Sequence, residues 1–99
     1  MEVSALPTVF SLSQNYPNPF NPSTTIKFQL PQKEKVVLEV YNTLGEKVKT
    51  LVNDIKDPGF YEAKWDGTNN NNINVATGVY IYRIMAGKFV LAKKMMFLK

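Results

Sequence analysis

From Thr24 onward the chain repeatedly alternates hydrophobic and polar residues with a period of two, the signature of half-buried β-strands. "TTIKFQLP" sets Ile26, Phe28 and Leu30 against Thr25, Lys27 and Gln29, and Pro31 stops it. In "VVLEVYN", Val36, Leu38 and Val40 share one face and Val37, Glu39 and Tyr41 the other, predicting a second strand with Tyr41 partly exposed. A third follows in "KVKTLVND", where no 3.6-residue apolar period supports a helix, after a connection that needs Gly45 at positive φ. Asp57-Pro58-Gly59 is a turn, after which Tyr61, Ala63 and Trp65 point inward against Glu62 and Lys64. "GVYIYRIMAG" and "KFVLAKKMMFLK" form the longest pair, joined at Ala86-Gly87. These six strands, with a candidate seventh near Ile73–Val75, predict an all-β, immunoglobulin-like antiparallel β-sandwich of about seven strands.

Three stretches break the alternation. "QNYPNPFNPST" (Gln14–Thr24) packs three prolines and three asparagines beside Tyr16 and Phe20. Proline lacks an amide donor and restricts the residue before it, so a stiff polyproline-like strap broken by Asx turns is expected, capping one end of the sandwich. "TNNNNINVAT" reads as a loop tip. The last strand is apolar in both phases, Phe89, Leu91, Met95 and Phe97 against Val90, Ala92, Met96 and Leu98. It is therefore either a buried central strand or an element that docks elsewhere. An internal echo, Gly59-Phe60-Tyr61 and Gly78-Val79-Tyr80, places a tyrosine just after a turn, where its hydroxyl can tie upstream backbone; both tyrosines are read as structural.

At 99 residues the chain holds one core, and neither cysteine nor histidine is present. Thiolate and imidazole nucleophiles, histidine general bases and nearly all zinc chemistry are thereby excluded. No apolar run reaches the roughly 20 residues of a membrane helix, and "MEVSALPTVF" lacks the pattern of a signal peptide. The chain is read as a piece of a longer protein, with residues 1–13 a linker or added N-terminal segment and 14–99 the folded domain. All eight acids lie at or before Asp66; beyond Gly67 the charges are Arg83, Lys88, Lys93, Lys94 and Lys99. A cationic end either meets an anionic partner or guards a strand edge, and edge guarding is the commoner use.

The chemistry left is limited. Glu39, Glu46, Glu62, Asp54, Asp57 and Asp66 could pair for glycoside hydrolysis, but most sit at outward strand positions or turns beside lysines, so no enzyme is expected. Asp66, Asn69, Asn70, Asn71 and Asn72 supply oxygen ligands for calcium, of which Asp66, Asn69 and Asn71 are the weak candidates; with a single charged ligand, an ordinary asparagine loop is the preferred reading, and no metal or cofactor is expected. Tyr16, Phe20, Tyr41, Tyr82 and Trp65 could form a stacking platform for sugar, although Trp65 lies in the inward phase; one arginine and scattered lysines make no nucleic-acid stripe.

Taken in order, "LSQNYPNPFNPSTTIKFQLP", "VVLEVYNTLGEKVKTLV", "GFYEAKWDG", "GVYIYRI" and "AGKFVLAKKMMFLK" resemble the type A C-terminal sorting domain of type IX secretion cargo, from Phe10 to Lys99. The centre also looks like the immunoglobulin-like domain of the flagellar hook-capping family, which is not expected to carry the "YPNPFNP" opening or the "KKMMFLK" end. The resemblance implies a non-enzymatic address label on a cargo fused upstream, read by the type IX outer-membrane translocon and often cut by a sortase-like signal peptidase. The protein would cross the periplasm and finish at the cell surface or secreted. Translocon recognition is carried over onto Gly87, Lys88, Lys93, Lys94, Met95, Met96, Phe97, Leu98 and Lys99. The opening motif is Tyr16, Pro17, Asn18, Pro19, Phe20, Asn21 and Pro22, with cleavage guessed within Val3–Ser13. The competing reading is an accessory carbohydrate-binding or spacer module of a secreted hydrolase; a weak homodimer through the last strand is also left open.

Overall fold

The computed structural model describes residues 5–98; Lys99 and residues 1–4 lie outside it. Seven strands form two antiparallel sheets: β1 (Ser11–Leu12), β2 (Thr24–Leu30) and β5 (Gly59–Trp65) in the order β1-β2-β5, and β4 (Lys47–Lys56), β3 (Glu34–Tyr41), β6 (Gly78–Ala86) and β7 (Phe89–Phe97) in the order β4-β3-β6-β7. The all-β sandwich expected from the alternation is what the chain forms. Period two does the sorting: Ile26, Phe28 and Leu30 of one sheet face Val36, Leu38, Val40, Tyr82 and Ile84 of the other, all buried. Trp65 is fully buried, and its indole N–H donates to the Thr68 carbonyl at 2.8 Å, so the ring enters the core without an unpaired donor.

The seventh strand is not where the sequence put it. Ile73–Val75 contributes only an isolated bridge, Asn74 to Thr68. The Asn69 carboxamide oxygen accepts from the amides of Asn71 and Ile73, which curls the segment into a turn. The seventh strand is β1, inside the stretch read as linker, with Leu12 buried and Phe10 stacked on Phe89 at 5.0 Å. Two residues are too few to show an alternation.

The tyrosine echo has a physical cause. Tyr61 and Tyr80 each donate their hydroxyl to a carbonyl four residues upstream, Asp57 and Ala76, at 2.6 Å. Each ties the entrance of a strand to the turn before it, β5 and β6 respectively. Gly45 takes φ 83° in the β3–β4 turn, where the Asn42 side chain accepts from the Leu44 and Glu46 amides.

Candidate functional site

The two motifs at the ends of the sequence are one structure. The proline segment is not an extended polyproline strap; it bends through residues 17–19 and 21–22, and its three X-Pro bonds are cis. Tyr16 exchanges both backbone bonds with Thr25 of β2, at 2.9 Å each. Four residues later the segment has crossed to the other sheet. The Phe20 amide donates to the Met96 carbonyl and the Leu98 amide donates to the Phe20 carbonyl, both at 3.0 Å, making a parallel bridge on β7. Side chains extend the seam. The Met96 amide donates to the Asn18 carboxamide oxygen at 2.9 Å, and Gln14 donates to the Lys94 carbonyl at 2.8 Å.

Buried polar groups lock the segment from beneath. Asn15, 2% exposed, donates through its side-chain amide to Pro17 O and Thr24 Oγ1. Its backbone amide donates to the Tyr82 hydroxyl at 2.8 Å, and that hydroxyl donates to Ser13 O at 2.7 Å. Burial pushes the Tyr82 phenol up to about 12, so it remains a neutral donor throughout the physiological range. Phe20 is 1% exposed, stacked on Phe97 at 4.8 Å and against Trp65 at 5.5 Å. Of the two aromatics expected to cap the sandwich, Phe20 enters the core and Tyr16 stays 80% exposed.

The terminal motif divides by phase. Met95 and Phe97 are core residues, whereas Val90, Met96 and Leu98 are exposed at 56%, 37% and 46%. β7 is thus an edge strand whose C-terminal half places Met95 and Phe97 in the core, not a buried central strand. Gly87 turns β6 into β7, Lys88 and Lys94 are exposed, Lys93 is half-buried, and Lys99 lies outside the described residues. Within the opening motif, Pro17, Asn18, Pro19, Asn21 and Pro22 are exposed, and Asn18 bonds this edge.

Other candidates are dispersed or already satisfied. Phe20, Tyr82 and Trp65 are buried, and Tyr16 and Tyr41 belong to different sheets, so the five aromatics make no platform. In the asparagine loop, Asp66 accepts from the Thr68 hydroxyl and amide, and Asn69 is taken up by Asn71 and Ile73, while Asn71 is exposed. The Lys49 ammonium reaches Thr68 Oγ1, Asn69 O and Asn72 Oδ1 at 3.0–3.3 Å, standing where a cation would. Millimolar calcium is therefore expected to leave the melting temperature unchanged; a rise of several degrees would show these oxygens free to bind it.

On the outer face of β3, Glu39 is an acid buried among cations. Glu39 accepts from Tyr41 at 2.7 Å, Thr50 at 3.3 Å and Lys47 at 3.1 Å. Burial alone would raise its pKa, but those hydrogen bonds and the Lys47 charge outweigh it and hold the carboxyl below its ordinary 4.5. The Thr68 hydroxyl likewise lowers Asp66 below 3.8. Groups with depressed pKa stabilise the fold above their unfolded values, and that stability is lost as pH falls through the folded ones. Melting temperature is therefore expected to fall on acidification below about pH 4, given those ordinary carboxylate values, and less steeply in Glu39→Gln. Identical slopes would contradict this.

The model of the FlgD Ig-like domain matches residues 15–88, more than half of the chain. The chain belongs to the FlgD Ig-like domain family. This FlgD-type match starts inside the proline segment and stops at Lys88, so β7 lies beyond it. Among solved structures, dimeric latent PorU from Porphyromonas gingivalis matches 86% of the chain at 25% identity with a TM-score of 0.70. PorZ from the same organism, described as an essential bacterial surface component of the type-IX secretion system, matches 91% at 18% identity with a TM-score of 0.60, a likeness of fold. The chain spans 9% and 11% of the length of these two proteins. No curated protein matches the sequence.

Proposed function

We propose that this FlgD-type sandwich is a type IX C-terminal sorting domain, an address that the outer-membrane translocon reads on a cargo fused upstream. One observation carries the reading. The opening and terminal motifs lie at opposite ends of the sequence, yet Asn18 and Phe20 bond Met96 and Leu98 directly, so a reader can contact both at once. The structural likeness to segments of PorU and of the type-IX component PorZ supports the same reading. The domain itself performs no catalysis. Its passage runs through the periplasm to the cell surface or the medium, where a sortase-like peptidase removes it. Phe10–Leu12 pack into the sandwich, so the cut falls before Phe10, where Leu6 and Val9 are exposed.

The test must separate the surface from the fold. Deleting Met95–Lys99 fails to do so, because Met95 and Phe97 are core residues. Met96→Asp with Leu98→Asp changes two exposed side chains and keeps the backbone seam. Export of a fused reporter is expected to fall at least tenfold while the purified domain melts within a few degrees of wild type. Wild-type export by this variant would exclude the joined ends as the recognised surface.

A further inference from the structure

The proline segment seals only half of the β7 edge. Its bonds fall on Lys94 O, the amide and carbonyl of Met96, and the Leu98 amide, so the even-numbered residues of β7 turn their backbone groups away from β6. The β6–β7 register runs from Gly78↔Phe97 to Ala86↔Phe89 without a shift, so the same parity holds at Val90 and Ala92. Among the described residues nothing pairs with the outward amides and carbonyls of Val90 and Ala92. Beside this open stretch, Val90 is 56% and Leu91 38% exposed. Lys88, Lys93 and Lys94 flank it, and none makes an ion pair among the described residues.

We propose that the open half of this edge, Phe89–Lys93, receives one extended, acid-bearing strand of another protein as a fifth strand of the β4-β3-β6-β7 sheet. Backbone pairing supplies affinity, exposed Val90 and Leu91 offer apolar contact, and the three lysines select carboxylates. The occupant is not a second copy of this chain. An antiparallel β7–β7 pairing sets the same lysines against each other, and the opposite sheet edge, β4, carries Lys47, Lys49 and Lys56 against the single Asp54. The incoming strand would lie in line with the proline segment and would not displace it. The proposal rests on the sorting-domain reading and names the chemistry of its partner.

Ala92→Pro removes an outward amide without touching the bonds to β6, a change that an edge strand tolerates. Reporters carrying the wild-type domain, Ala92→Pro and Ala92→Val are compared for export from a type IX-competent host, with the melting temperature of each purified domain. Wild type and Ala92→Val are expected outside the cells, and Ala92→Pro at least tenfold reduced with its fold intact. Export of a folded Ala92→Pro at the wild-type level would overturn the proposal and leave the lysines as edge guards. Should Ala92→Pro not fold, combined Lys88→Glu, Lys93→Glu and Lys94→Glu decides the question in the same way. Retention of the wild-type reporter itself is the distinct result that removes the sorting reading, and this proposal with it.

Discussion

Phe20→Ala is expected to cost about 3–5 kcal/mol, the range for a buried aromatic cut to alanine, and to lower the melting temperature by roughly 12–40 °C in a domain of this size. Phe20 is 1% exposed and sits between Phe97 and Trp65, so its removal leaves a hole lined by two other aromatic rings. It also loosens the parallel bridge, because the ring anchors the residue whose amide bonds Met96 and whose carbonyl bonds Leu98. Phe20→Leu, which refills part of the volume, should recover much of the loss. Thermal or denaturant unfolding of the purified domain measures both. A loss under about 1 kcal/mol would be that of a surface side chain and would mean the segment merely lies against the sandwich.

The second large effect is at Gly67. Its φ of 76° is a left-handed conformation, and a Cβ there would come within 2.6 Å of the Phe97 ring. Gly67→Ala should cost about 1–2 kcal/mol for the backbone and about 1–3 kcal/mol more for the displaced ring. Gly45 is the internal control: its φ is 83°, but nothing lies within 4 Å of its Cβ position, so Gly45→Ala carries the backbone cost alone. The difference between the two variants measures how tightly the terminal strand packs on the "WDG" turn. Equal losses would contradict that contact.

These residues mark what could be read from the sequence. β2, β3, β5 and β6 were legible because each is long, with one face in the core and a burial pattern close to a strict alternation. The tyrosine ties were legible because each spans four residues. The role of the proline segment was not, since it rests on partners 78 to 80 residues away. Nor could its shape be read: a run of prolines predicts extended chain, and only the bonds to β2 and β7 show it crossing between sheets. The last strand stayed ambiguous for a related reason. Apolar residues in both phases fit a central strand equally well, and only the sheet order shows that β7 is an edge with Met96 and Leu98 outside. The stacking platform failed because aromatic residues report volume and not direction; Phe20 and Tyr82 are as buried as Trp65.

The most direct measurement is export of a reporter that bears a periplasmic signal at its N-terminus and residues 3–99 of this chain at its C-terminus, in a type IX-competent host and in its translocon-null twin. The account predicts reporter outside the first cells, shortened by a cut before Phe10 that intact mass will locate, and full-length reporter held in the periplasm of the second. Equal retention in both hosts would contradict it, and would leave this chain an immunoglobulin-like module with no part in sorting.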